Sequence, residues 1–513
     1  MAAAQFAQPV VDMAVEALSV VVLQPAFVAL DTGCNIMKRN KHSLSHYKLA
    51  TAKMGGLYPV GAMEVLPGDT FQHQTSALIR TSPLLAPVMH PVQVRFHHWF
   101  VPMRLIWDQI DSFNPGEATS WEDFITGTGS WPDSLVHLTT NTKGDLDDYL
   151  GLPRKTGSAV SAAYHIAYNM IFNEFYRDQD LITEIDPLTN RAVQNVAWGK
   201  DYFTAARPWP QKGPDVTIPL GDSAPVAATS DSGHLSIATP SGRERMYVPG
   251  TYLEPTASGG GQTGNELYAD LANATGANIN DVRKAFALQR YQEARARYGS
   301  RYSEYLRYLG VNPSDARLQR PEYLGGGKQT ISFSEILQTA EGTDPVGTMR
   351  GHGISAMRSN RYRRFFEEHG VVLTLMSARP KNMYMDGIHR SFLKTTKEDF
   401  YQKELEHIGQ QEINQAEIYA DSATDGNTFG YADRYREYRE MPSQVVGDFR
   451  DTLNYWHLAR SFGSAPALNA DFVKCDPTRR IFAEQTQDNL WLMVNHSVQA
   501  RRLVSRNAAP SIL

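Results

Sequence analysis

The residues whose types and spacing could do chemistry are few, and each set fails a physical requirement. Gly351-His352-Gly353-Ile354-Ser355-Ala356 has the relaxed spacing of a dinucleotide-binding turn. That turn works only when a buried strand precedes it and a helix N-terminus follows to meet a pyrophosphate. The preceding Thr343-Asp344-Pro345-Val346-Gly347 reads as loop instead. Gly325-Gly326-Gly327-Lys328 resembles the end of a phosphate loop, but Gln329 stands where a hydroxyl must hold Mg²⁺, and Glu322 replaces the first glycine. Glu404 and His407 form half of a di-iron carboxylate pattern that needs a second copy on another helix. His97 and His98 are adjacent on a predicted strand, so they point to opposite faces and cannot share an ion. No Ser/His/Asp set can be assembled. The expectation is no catalytic set, no metal site and no cofactor.

Three basic clusters carry more weight. Lys38, Arg39 and Lys41 lie near the N-terminus, Arg501, Arg502 and Arg506 near the C-terminus, and Arg361, Arg363 and Arg364 interleave with Tyr362, Phe365 and Phe366. The terminal clusters have the chemistry to neutralise a phosphate backbone, with aromatic rings as stacking platforms. For the third cluster two readings stand: nucleic-acid contact, or ion pairs to Glu367 and Glu368 across a helix or subunit contact.

Elements must position these residues. Val92, Val94 and Phe96 alternate with Gln93, Arg95 and His97, the period of a half-buried strand. Pro67-Gly68-Asp69 is turn chemistry between two strands. Val371 to Met376 and Leu490 to Val494 read as strands buried on both faces. Between them, Tyr164, Tyr168, Ile171, Phe172 and Phe175 form one helical stripe, and Tyr291, Ala294, Tyr298, Tyr302, Tyr305 and Leu309 another that Gly299 interrupts. Both stripes are expected to be core. Residues 221–265, dominated by Ala, Ser, Thr, Gly and Pro, are expected to be a surface-exposed variable loop. The domain reading is an N-terminal extension over 1–36, a basic, mobile arm over 37–60, and one β-domain over 61–513 with inserted loops and helices.

The chain has 513 residues, 42% hydrophobic and 20% charged, with 24 Tyr, 21 Phe and 8 Trp, which excludes disorder throughout. Its net charge of -5 excludes a protein whose whole surface grips DNA, so any such contact must be local. Two cysteines, Cys34 and Cys475, cannot build a disulfide framework and suit a reducing compartment. No Lys or Arg precedes Lys38, and the apolar run Ala17 to Leu23 is too short to span a bilayer. Neither export nor membrane insertion is expected.

Several stretches together resemble the major capsid proteins of Microviridae, especially the gokushovirus-like branch. They include Met37-Lys38-Arg39-Asn40-Lys41-His42, Val65-Leu66-Pro67-Gly68-Asp69-Thr70-Phe71, Gln319-Arg320-Pro321-Glu322-Tyr323-Leu324, Arg361-Tyr362-Arg363-Arg364-Phe365-Phe366, Pro466-Ala467-Leu468-Asn469 and Asn495-His496-Ser497. They run in family order from 37 to 506, while residues 1–36 depart from the pattern. The resemblance implies a mainly β fold, an eight-stranded jelly roll with long inserted loops and several helices. It also implies a T=1 icosahedral shell of roughly 60 copies built through pentamers, enclosing a circular single-stranded DNA genome. Implied partners are copies of itself, that genome, small DNA-packaging, internal scaffolding and pilot proteins, and a host receptor met through 221–265. Assembly is expected in the bacterial cytoplasm and residence in the virion. The alternatives, a receptor-binding jelly roll of a phage tail or a DNA-processing enzyme, lack supporting residues.

Overall fold

The computed structural model describes residues 39–113, 120–127, 129–216, 279–342, 345–421 and 426–505, with the backbone of five short strands between 226 and 269. Eleven strands build the core: β1 (Asn40–Ser43), β2 (His46–Ala52), β3 (Leu57–Val65), β4 (Thr70–Thr81), β5 (Val92–Pro102), β6 (Glu322–Thr330), β7 (Ser332–Leu337), β8 (Met349–Arg358), β9 (Tyr362–Phe365), β10 (Gly370–Pro380) and β11 (Leu490–Arg502). In the larger sheet β11 pairs with β1 and β2 on one edge and β4 on the other, β4 pairs onward with β8 and β9, and β7 follows β8. The smaller sheet has the order β6-β5-β10-β3. Strands β2-β11-β4-β8 therefore oppose β3-β10-β5-β6, which is jelly-roll order, and every pair is antiparallel.

Inward side chains from both sheets make a common core, with Val60, Val94, Phe96 and Met376 meeting Ile79, Leu492 and Val494. At one end Phe71, Phe100, Phe366 and Val498 continue it. The smaller sheet is also covered outside, by the helices Met103–Phe113 and Ala163–Ile171, whose Ile106, Ile110, Ile166 and Tyr168 pack with Trp99, Leu373 and Leu375. This is why Val371 to Met376 does not alternate and has Thr374 as its one polar residue: β10 is buried on both faces. The first aromatic stripe is core as expected, since Tyr168, Ile171 and Phe172 are buried.

Other expectations need correction. Residues 40–52, expected within a mobile arm, are strands β1 and β2 on the edge of β11, and β3 runs across the boundary drawn at residue 60. Their alternation was hidden because the inward positions of β2 hold His46 and Lys48 rather than hydrocarbon. Leu490 to Val494 is not buried on both faces: Trp491 is 48% and Met493 42% exposed, alternating with buried neighbours. The second aromatic stripe also faces outward, with Tyr291, Tyr298, Tyr302 and Leu309 exposed, and Gly299 (φ +107°) separates the helices Ile279–Tyr298 and Tyr302–Tyr308. Residues 221–265 are not a plain loop. Val226–Ala228, Leu235–Thr239, Gly242–Tyr247 and Glu254–Ala257 join Asn265–Ala269 in a five-stranded sheet. Its strands are short, so period-two signals such as Leu235 and Ile237 were lost in a small-residue background.

The two sheets meet over a file of three buried histidines, His73, His98 and His496, with half-buried His46 beside them. His46 stacks on His496 at 4.8 Å, and His73 and His98 lie 4.6 Å apart. The Val60 carbonyl can only accept, so His496 Nε2 donates to it at 2.9 Å, leaving Nδ1 to accept from His73 Nε2 at 3.1 Å. His73 Nδ1 then accepts from the Tyr362 hydroxyl at 3.1 Å, while His98 meets Thr374 and Ser359. Gly61 leaves room for this file, since a Cβ there would lie 2.6 Å from His496 Cε1. The chain is satisfied only while each ring is neutral. Burial first, and then the neighbouring histidines, lower His73 to about 2 and His98 to about 3; burial lowers His496 to about 4.

Unfolded histidines titrate near 6.5, so the unfolded chain takes up protons that the fold refuses, and stability present above pH ~6.5 is lost as pH falls. Each such histidine contributes up to about 1.4 kcal/mol per pH unit over that window. Thermal unfolding followed from pH 7 to 5 should show a steep fall in Tm, and His98→Gln should flatten it. An unchanged slope in His98→Gln would remove this histidine from the effect.

Candidate assembly and nucleic-acid interface

The outer face of the larger sheet has no layer over it among the described residues. Strands β1, β2, β4, β8, β9 and β11 contain no Asp or Glu, and Glu335 of β7 is the one acid in the sheet. The same strands carry Lys41, Lys48, Arg80, Arg350, Arg358, Arg363, Arg364, Arg501 and Arg502. In a chain of net charge -5, this is a strong local departure.

Register gathers basic clusters that the sequence kept far apart. Lys41 pairs with Arg501, Arg501 with Thr70, and Thr70 with Phe365, so one rung joins the N-terminal, C-terminal and 361–364 clusters. Arg363 lies opposite Gln72, one outward position along. Arg39 sits over the Phe365 ring at 5.3 Å and donates to the Gly68 carbonyl at 3.0 Å. Lys41, Arg361, Arg363 and Arg501 are exposed and make no ion pair with a described residue. Lys38 and Arg506 lie outside the described residues.

Two expectations change here. Arg502 faces the other way from Arg501, because adjacent strand residues alternate. It donates to the fully buried Asp69 at 2.6 Å, and also to the Glu64 carbonyl, and lies over Phe71 at 5.7 Å. Asp69 in turn accepts the Leu66 amide at 2.9 Å, fixing the β3–β4 turn in which Gly68 takes φ +83°. Arg502 is thus a lock on the turn. Within the subunit the 361–364 cluster does not pair with Glu367 and Glu368, so only the subunit-contact form of that pairing is left: Arg364 bonds Glu322 at 2.8 Å, and Glu368 meets Arg104 at 3.4 Å.

The rejected motifs are strands. Gly351 to Ala356 lies in β8, and Gly325 to Lys328 in β6, where a Cβ at Gly326 would meet the Phe96 carbonyl at 2.2 Å. His97 and His98 do diverge, His97 to the Tyr176 hydroxyl at 2.6 Å and His98 into the core. Cys475 is buried, and burial pushes its thiol up to about 12.

One group was missed by sequence reasoning. His137 Nε2 and His165 Nε2 both reach Asp147 Oδ1, at 2.8 and 2.6 Å, and all three residues are buried. The spacing suits a metal ion, yet Arg191 Nε donates to His137 Nδ1 at 3.0 Å, which leaves Nε2 as a donor, and a guanidinium beside the site opposes a cation. Burial pushes the Asp147 carboxyl up, but bonds from His137, the Thr140 amide and His165 outweigh it and hold it below the usual range. The group works as a hydrogen-bond hub fastening the helix Ala163–Ile171 to the insertion before it.

Two apposed antiparallel sheets in jelly-roll order, long insertions and a bare basic face together define a shell-forming jelly-roll protein. Sequence comparison makes this specific: the pattern of the capsid protein (F protein) family matches residues 32–510, and the chain belongs to that family. It is 34% identical to "Capsid protein VP1" of Bdellovibrio phage phiMH2K, over 85% of this chain and 88% of the relative. It is 31% identical to "Capsid protein VP1" of Chlamydia phage 1, over 88% and 92%, and 28% identical to that of Spiroplasma virus 4, over 89% and 91%. The protein is a Microviridae major capsid protein of the gokushovirus-like kind, a structural component that assembles with its copies into the virion shell. No helix of the described residues is long and apolar enough to cross a membrane.

Removing Arg502 leaves a buried, unpaired carboxylate, a change that costs about 3–5 kcal/mol. Arg502→Met should therefore lower the urea midpoint sharply, while Arg501→Gln, one residue away and exposed, should stay within about 0.5 kcal/mol. Equal effects in the two variants would contradict the lock.

Proposed function

We propose that the open face of the larger sheet is the inner wall of a T=1 shell of about 60 copies, laid against a circular single-stranded DNA genome. The observation that carries this reading is the near-complete absence of acid from the strands of that face in a chain whose acids outnumber its bases by five. Lys41, Arg39, Arg363 and Arg501 supply phosphate contacts that position without reading bases. Lys38 and Arg506, flanking the same corner in sequence, belong to the same proposal, whereas Arg502 is occupied by Asp69. Outward Gln72, Gln74, Asn495 and Gln499 add uncharged hydrogen-bonding groups between the cations.

Exposed apolar and aromatic surface elsewhere suits subunit contacts within pentamers and between them. The tyrosine-bearing helices Ile279–Tyr298 and Tyr302–Tyr308 present Tyr291, Tyr298 and Tyr302 to solvent in the single chain. Small DNA-packaging, internal scaffolding and pilot proteins complete the particle, assembled in the bacterial cytoplasm. Residues 221–265 are the outer insertion that meets the host receptor. Deleting them should leave a folded, shell-forming protein whose particles lose host attachment in an adsorption assay.

Neutralising Lys41, Arg363 and Arg501 together should leave closed shells in electron micrographs but lower the DNA packaged per particle. Affinity for single-stranded DNA should lose salt dependence by about 0.7 in log–log slope per contact removed. Normal packaging with an unchanged slope would refute the wall. Arg361 and Arg364 sit at its edge. Loss of shells when these two are neutralised, with DNA affinity intact, would make that edge a subunit contact.

A further inference from the structure

At the end of the open face away from the basic corner, the sheet carries a hollow of about 540 Å³, within the ~300–1,000 Å³ usual for small-ligand sites. Its floor is apolar. Leu49, Met493 and Leu78 form one rung across β2, β11 and β4, and Trp491 lies on the next rung, directly opposite Arg80. Leu49 is 78% exposed, and Trp491 and Met493 are nearly half-exposed, so hydrocarbon and an indole are left facing water. Such a patch beside charged groups marks a binding surface.

The rim is cationic. Arg80, Lys143 and Arg154 border the hollow, and none of their side chains makes an ion pair or hydrogen bond with a described residue. The two carboxylates at the rim are already engaged. Asp488 accepts the hydroxyls of Thr51 at 2.7 Å and Tyr149 at 3.2 Å, and Asp148 accepts the Gly144 amide at 3.1 Å. Lys48 is likewise spent, on the carbonyls of Pro59 and Tyr149. What remains is a flat aromatic and aliphatic floor with three uncommitted cations above it.

We propose that this hollow holds one unstacked nucleotide of single-stranded DNA, its base against Trp491 and its phosphate among Arg80, Lys143 and Arg154. The occupant must combine an apolar planar face with an anion, which a nucleotide does in every repeat and independently of sequence. A purely acidic peptide satisfies the rim but not the floor. The proposal rests on the reading of this face as the genome wall, and adds to it a point where the strand is gripped by a base as well as by charge.

The test is titration of the purified, assembly-competent capsid protein with short oligothymidylate, read by tryptophan fluorescence and repeated across salt concentrations. Trp491→Leu should weaken binding roughly 5- to 160-fold, the range for losing one base–aromatic stack, with the salt slope unchanged. Arg80→Gln should instead reduce the slope by about 0.7 while retaining the fluorescence change. Lys41→Gln, at the opposite corner, should lower the slope without touching Trp491 quenching. If Trp491→Leu is folded and binds like the wild type, the pocket is wrong and the wall stands. If polyglutamate competes as well as the oligonucleotide, the hollow is a peptide site and the proposal falls. If the wild-type protein binds no oligonucleotide, the wall reading itself fails, and the pocket with it.

Discussion

The fold turns on the insertion of β11 between β2 and β4. Residues 490–501 pair with β4 along their length and residues 490–496 with β2, joining parts of the chain more than 400 residues apart. Closing so long a loop costs entropy that only a completed ladder offsets. Parity along β11 then decides which side chains each face of the sheet presents. Even-numbered Leu492, Val494, His496 and Val498 enter the core, while Trp491, Met493 and Arg501 face out. A slip of one residue would bury Arg501 and Trp491 and expel His496 from its file. Core polarity and surface charge are therefore set by one register.

Coverage divides the sheets. Helices close the outside of the smaller sheet, and its strand β10 is buried on both faces along nearly its whole length. The larger sheet, open on one face, had to alternate, and its outward positions were free to specialise into cations, amides and a few apolar side chains. This asymmetry gives a near-neutral chain two chemically different sides without needing a second domain. The glycines follow the same logic: Gly61, Gly326 and Gly353 are places where another group presses onto a strand, so the glycine-rich motifs mark close packing rather than phosphate binding.

Much of this was legible in the sequence. The turn at Pro67-Gly68-Asp69, the doubly buried β10, the divergence of His97 and His98 and the three basic clusters all follow from period and residue type. What periodicity could not carry was long-range register. Nothing in the neighbourhood of Lys41, Arg363 or Arg501 says that they meet, because the strand order joining them spans nearly the whole chain. Arg502 was grouped with Arg501 by sequence proximity, although strand parity sends the two to opposite faces. The outward tyrosines of the helix Ile279–Tyr298 misled for a related reason: an apolar stripe says that something must cover it, but not that the cover lies within the same subunit. Strands β1 and β2 were obscured by inward-facing polar residues: Asn40, His42 and His46 meet Val504 and His496 at the far end of the chain, and Lys48 meets Pro59 and Tyr149.

The burial of Cys475 bears on how the subunit ages. With its thiol pushed up to about 12, the side chain is almost wholly protonated at neutral pH, and only the thiolate is an effective nucleophile toward peroxides or disulfides. Cys475 is therefore shielded from sulfenate and disulfide formation in aerated surroundings, whereas the exposed thioether of Met493 on β11 is open to oxidation.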